Sequence, residues 1–166
     1  MTKICVAGAT GWTGRAIAEA ILASDDLELH GALGRSAAGR DLGEVWGGPS
    51  LGIRVTGDIA EALTGAQVLV DYSSVESAKH HALSAIGAGA HVVIGTSGLS
   101  ASDFEDLDAA ARSAGVGVVA AGNFSLTAAM AQAAALADVL RRHEGDRARR
   151  SRTPDPRRRA VPRGSL

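Results

Sequence analysis

The sequence predicts an α/β protein, an open and doubly wound parallel sheet with helices on both faces. Three observations predict it. Short apolar, β-branched runs alternate with helical patterns through residues 1–140. The connections are short, so successive strands run parallel through right-handed crossovers. A glycine-rich turn ends the first strand and opens the first helix. With 166 residues, 46% hydrophobic and 21% charged, the chain suits one domain and is too short for two full ones.

The strands are expected at 4–7, 27–33, 53–55, 67–72, 91–94 and 116–120, where apolar residues follow one another without polar alternation, the pattern of strands buried on both faces. Helical patterns fill 12–24, 58–64, 75–88, 101–114 and 124–140. Asp58 stands before Ile59-Ala60-Glu61, and Ser100 stands three residues before Asp103, both signals of a helix start. The acids Asp103, Glu105, Asp106 and Asp108 then offset the helix dipole and form no catalytic pair.

Charge divides the chain. Residues 1–140 hold 7 Lys plus Arg against 15 Asp plus Glu, whereas residues 141–166 hold 10 Arg against 3 acids and three of the four prolines. A domain over 1–140 followed by a basic, disordered Arg/Pro-rich tail over 141–166 is expected. The tail lacks aromatic residues, so it is at most a nonspecific polyelectrolyte and no specific nucleic-acid partner is expected. Cys5 is the one cysteine, which excludes an internal disulfide and fits a buried core thiol. No apolar run approaches the ~20 residues of a spanning helix, and the first is too short for a signal segment, so a cytoplasmic protein with no membrane partner is expected.

In a doubly wound sheet the turns after the strands carry function. The first reads Gly8-Ala9-Thr10-Gly11-Trp12-Thr13-Gly14 and leads into a helical pattern. Gly8 permits the tight turn, Gly11 lets a pyrophosphate approach the backbone, and Gly14 lets the helix lie close to the sheet. This is the Rossmann-like dinucleotide pattern. After the second strand, Gly34-Arg35-Ser36 offers no acid for a ribose 2'-hydroxyl, while Arg35 and Ser36 suit a 2'-phosphate. NADPH is therefore the preferred cofactor, with NADH the other possibility. Trp12 is expected to pack over the first helix, the alternative being a cover for the cofactor.

Three later turns are Asp71-Tyr72-Ser73-Ser74, Gly95-Thr96-Ser97-Gly98 and Ala121-Gly122-Asn123-Phe124-Ser125. With the first turn, in this order and spacing, they resemble the amino-terminal domain of the dihydrodipicolinate reductase family, enzymes of diaminopimelate and lysine biosynthesis, over about residues 3–136. The resemblance implies that Gly8 to Thr13 line the pyrophosphate and that Arg35 meets the adenosine ribose or its phosphate. It implies that Gly95, Thr96 and Ser97 hold the nicotinamide-ribose side, Ser97 also near substrate, and that Ala121, Gly122, Asn123 and Phe124 close over the nicotinamide. Ser97, Gly34, Gly122 and Thr127 depart from the family pattern.

The same resemblance implies a second domain that supplies a His-His-x-x-x-Lys segment and a Ser-Gly-Thr loop for the small-molecule substrate. No lysine follows Lys79, and only His143 follows His91. The tail is thus expected to stand in place of the substrate domain, as after a truncation or a frame change, and no catalytic residue is assigned. A family-type homo-oligomer is not expected without that domain.

Two other readings stay open. One is an atypical short-chain-dehydrogenase-like protein, opposed by the lack of a Tyr-x-x-x-Lys pair, Tyr72 being the only tyrosine. The other is a non-catalytic NADP sensor. His80 and His81 are adjacent on a helix and so point ~100° apart, which rules out a two-histidine metal face; both are expected in solvent, and no metal is expected.

Overall fold

A computed structural model describes residues 1–121. The helix expected at 124–140, the tail at 141–166 and the turn residues Gly122, Asn123 and Phe124 lie outside the described residues. The described chain runs β1 (Thr2–Ala7), α1 (Trp12–Leu22), β2 (Leu27–Leu33), α2 (Leu42–Val45), β3 (Val55–Thr56), α3 (Ile59–Leu63), β4 (Val68–Asp71), α4 (Val75–Gly87), β5 (His91–Ile94), α5 (Ala101–Ala114) and β6 (Val118–Ala120). The strands pair parallel in the order β3-β2-β1-β4-β5-β6. This is the Rossmann-like order, and it reverses between β1 and β4, where such sheets open a crevice.

Each face of the sheet buries its own cluster. Ile4, Val6, Leu29 and Ala32 pack with Ala18 and Ile21 of α1 and Leu42 of α2. Cys5, Ala7, Leu69, Val92 and Ile94 pack with Leu63 of α3, Ala82 and Ile86 of α4 and Leu107 of α5. Alternate residues of β1 thus go to opposite buried faces, which is why its text shows no polar alternation. β6, the last strand of the described sheet, departs from the two-face expectation: Val119 is 56% exposed.

β2 carries one extra residue. Ile4 pairs with Leu29 and Cys5 with Gly31, so His30 forms a bulge. Its ring reaches the Glu28 carboxylate at 3.1 Å and the Thr64 carbonyl at 3.0 Å.

Pairing narrows several expected strands. The one expected at 53–55 is β3 at Val55–Thr56, because the Ile53 carbonyl accepts from Leu42 N–H and Arg54 bridges Asp41. Val116 still donates to the Ala111 carbonyl of α5, so β6 begins only at Val118. The unexpected element is α2, one short turn that Asp41 organises by accepting from the backbone of Gly43, Glu44 and Leu51 and from the Ser50 hydroxyl. Asp58 caps α3, and Ser100 and Asp103 form a reciprocal capping box on α5. Lys79 of α4 bridges Asp103 and Asp106 of α5 at 2.8 and 2.6 Å.

Candidate functional site

The glycine turn is built by backbone contact. Gly8 has φ +82, and a Cβ there would stand 2.4 Å from the Tyr72 carbonyl oxygen. A Cβ on Gly14 would stand 2.0 Å from the Gly8 carbonyl oxygen, so α1 lies directly on the turn. At Gly11 the same atom would meet, among the described residues, only the Gly8 carbonyl oxygen at 3.3 Å. Gly11 also caps α1 without a side-chain hydrogen bond, and no acid occupies the first turn. The free N–H groups and the positive helix end face the crevice, the arrangement that takes a phosphate.

Trp46 props this turn from behind. Its indole N–H donates to the Ala9 carbonyl at 3.2 Å, and the Arg15 guanidinium lies 5.3 Å over its ring. Trp12 does not pack over the first helix as expected and is 97% exposed. As the first residue of α1, it points back past the helix start, where no preceding turn can receive it.

A cleft of about 410 Å³ follows the ends of β1, β2 and β4, with Thr10, Gly11, Arg35, Ser36, Ser77 and His81 in its wall. Among the described residues, none that lines it is acidic. Glu76 stands beside a second cleft, its carboxyl held below the usual range by its own N–H and the Ser74 hydroxyl, with the Arg35 cation adding to the effect. That second cleft, about 470 Å³, takes Thr13, Ser74, Gly95, Thr96 and Ser97. Tyr72 borders both clefts. Its ring covers Gly95 so closely that a Cβ there would meet Tyr72 Cζ at 1.9 Å.

Between the clefts lies the fully buried Asp71 at the end of β4. It accepts from Ser73 N–H at 3.0 Å, the Ser73 hydroxyl at 2.8 Å, the Thr96 hydroxyl at 2.9 Å and His81 Nδ1 at 2.8 Å. Burial pushes the Asp71 carboxyl up, but these donors outweigh it and hold the group below its ordinary value. His81 is thus not in solvent as expected: its side chain is only 14% exposed, while His80 is exposed. On α4 the two rings diverge, and the one in phase with buried Ala78, Ala82 and Ala85 turns toward the sheet.

The expected residues thus fall into two neighbouring groups. Gly8, Ala9, Thr10, Gly11, Thr13, Gly14 and Arg35 gather at the ends of β1 and β2, and Gly95, Thr96 and Ser97 at the end of β5. Ala121 follows β6 and donates to the Ile94 carbonyl at 3.0 Å. Asp71, His81 and Trp46 were not among the expected site residues. Among the described residues no group of three or more His, Cys, Asp or Glu could hold a metal, and no helix is long and apolar enough to cross a membrane. A larger cavity, about 580 Å³, lies between α5 and β6, away from the glycine turn.

The family model described as dihydrodipicolinate reductase, N-terminus, matches residues 2–124. A 4-hydroxy-tetrahydrodipicolinate reductase of Anaeromyxobacter dehalogenans is 40% identical over 103 residues, covering 60% of this chain and 38% of the relative. One of Roseobacter denitrificans is 38% identical over 127 residues, covering 75% of this chain and 46% of the relative. The chain therefore spans less than half the length of either. Among solved structures, a dipicolinate-bound dihydrodipicolinate reductase from Paenisporosarcina shares the fold at TM-score 0.66 and 20% identity, over 76% of this chain and 49% of that one. GenD2 from gentamicin A biosynthesis, in complex with NAD, aligns at TM-score 0.60 and 27% identity over 74% of this chain and 35% of that one. With the matched span covering most of the described fold and its glycine turn, the chain belongs to the dihydrodipicolinate reductase family, through that family's N-terminal domain.

Proposed function

We propose that this chain is the cofactor-holding part of a 4-hydroxy-tetrahydrodipicolinate reductase of diaminopimelate and lysine biosynthesis, and that it takes NADPH in preference to NADH. The observation that carries the reading is the uncapped start of α1 at Gly11, opening on a cleft that Arg35 and Ser36 border and that no carboxylate lines among the described residues. The residues fit the group: an open backbone cradle for the pyrophosphate, and a guanidinium with a neighbouring hydroxyl for the 2'-phosphate. Bound there, the cofactor supplies hydride to an unsaturated cyclic dicarboxylate. Gly8, Ala9, Thr10, Gly11, Trp12 and Thr13 line the pyrophosphate, and Gly14 lets α1 lie close enough for the turn to do so. Gly95, Thr96 and Ser97 hold the nicotinamide-ribose side, Ser97 beside substrate, and Ala121 to Phe124 close over the ring. The proton donor and substrate clamp are assigned to the family's second domain, and residues 1–121 to holding the cofactor.

Calorimetric titration with both cofactors tests this reading. Because Arg35 is exposed, its advantage to NADPH is set at about 1 kcal/mol, roughly fivefold in affinity, and Arg35→Ala should erase it. Gly11→Val should stay folded by circular dichroism and bind neither cofactor, since the branched side chain occupies the pyrophosphate position. Equal affinities unmoved by Arg35→Ala would overturn the preference, and normal binding by folded Gly11→Val would move the site elsewhere. Turnover approaching that of a full-length relative would refute the assignment of the proton donor.

A further inference from the structure

The two oxygens of Asp71 have different partners. Oδ1 accepts from Ser73 N–H, the Ser73 hydroxyl and the Thr96 hydroxyl, whereas Oδ2 accepts from His81 Nδ1. An ionised carboxylate only accepts, so His81 carries its proton on Nδ1. In the neutral ring Nε2 is then an acceptor without a donor. The ring stands in the wall of the cleft that also holds Arg35 and Ser36, and Nε2 has no hydrogen-bond partner among the described residues. The other polar side chains there are hydroxyls, which donate as well as accept, and the donor-only guanidinium of Arg35. Among the described residues that line the cleft, His81 is the one whose side chain offers an acceptor-only nitrogen.

We propose that the Asp71–His81 pair selects a 6-aminopurine over a 6-oxopurine in this cleft: His81 Nε2 accepts from the exocyclic amino group, and Asp71 is the positioning residue that fixes the accepting tautomer. The inference rests on the dinucleotide reading of the site and deepens it, adding the base to the phosphate as a recognised feature. A 6-oxopurine presents a carbonyl oxygen to Nε2, two acceptors facing each other with no proton between them. Such a mismatch is worth roughly tenfold in affinity.

The full chain is titrated with NADPH and with its 6-oxo analogue, nicotinamide hypoxanthine dinucleotide phosphate. Wild type should favour NADPH by about tenfold. His81→Phe keeps a ring in the wall but no acceptor, and the ratio should fall to about one. Asp71→Asn should keep its carbonyl oxygen on Ser73 and Thr96 and turn its NH₂ to His81, forcing the proton to Nε2 and lowering or reversing the ratio. A purely structural role for Asp71 would weaken both ligands alike and leave the ratio unchanged, which overturns the positioning role. If Asp71→Asn fails to fold by circular dichroism, His81→Phe decides. Equal wild-type affinities, or a preference that survives His81→Phe, overturn the inference while leaving the dinucleotide reading intact. Failure of wild type to bind either ligand overturns both.

Discussion

Gly14 lies against Gly8 so closely that a Cβ on it would stand 2.0 Å from the Gly8 carbonyl oxygen and 2.6 Å from the carbonyl carbon. Both atoms are backbone in the turn itself, and neither can swing away as a side chain could. Gly14→Ala is therefore expected to cost about 2–3 kcal/mol of folding stability, the range of an overpacked site, by lifting α1 off the turn. Urea unfolding checks this, and a change under about 0.5 kcal/mol would contradict the close contact.

Gly95 and Tyr72 make a second such pair, with a different outcome because one partner is a side chain. Gly95→Ala should displace the Tyr72 ring and destabilise the protein. Tyr72→Ala in the same chain should recover part of the loss, giving a coupling energy above about 1 kcal/mol in a double-mutant cycle. Strictly additive effects would show that the ring does not depend on the missing Cβ.

Asp71 gives the fold an acid sensitivity of definite sign. Its folded-state pKa is depressed, because hydrogen bonds from His81, Ser73 and Thr96 outweigh the upward push of burial. Such a group stabilises the fold above its unfolded value near ~3.9, and the contribution is lost as pH falls through the folded value. The stability gap between wild type and Asp71→Asn should accordingly be widest around neutrality and narrow below about pH 4. Urea unfolding across that range measures the gap, and a constant one would assign the difference to packing alone.

Cys5 should be silent in the native protein. Burial, with the nearby Asp71 charge adding to it, pushes its thiol up to about 12, and no part of the residue is exposed. An aromatic disulfide reagent at about pH 8 should label Cys5 only after denaturant is added, since the thiolate is the reactive form. Rapid labelling of folded protein would mean that the sheet opens at β1.

Much of this architecture was legible because it is local. The run Ile4 to Ala7, the glycines at 8, 11 and 14 and the helical pattern after them state a strand, a turn and a helix within a few residues. The Ser100 and Asp103 spacing likewise states its own cap. What escaped depends on distant partners. α2 exists because Asp41 gathers donors as far as Leu51, ten residues on, and no periodicity shows in a segment of four residues. Trp46 touches Ala9 across 37 positions. His81 had a local signal that went unused: it borders the stripe of Ala78, Ala82 and Ala85, whereas His80 lies off it. Its partner Asp71 needed the fold, because a carboxylate at a strand end becomes a hub only when the neighbouring strand brings Thr96 to it.

The bulge at His30 also determines how the chain can change in length. Leu29 and Leu33 stand an even number of positions apart, yet they serve opposite faces of the sheet, because the extra residue between them resets the parity. Remove His30, and Ile4 still pairs with Leu29 while Cys5 still pairs with Gly31, now without interruption. The deleted residue would take its two side-chain hydrogen bonds with it and leave the exit of β2 toward Arg35 in place. A homologue one residue shorter at this point can therefore keep the same cleft, and the gap belongs opposite His30 rather than in the turn that follows.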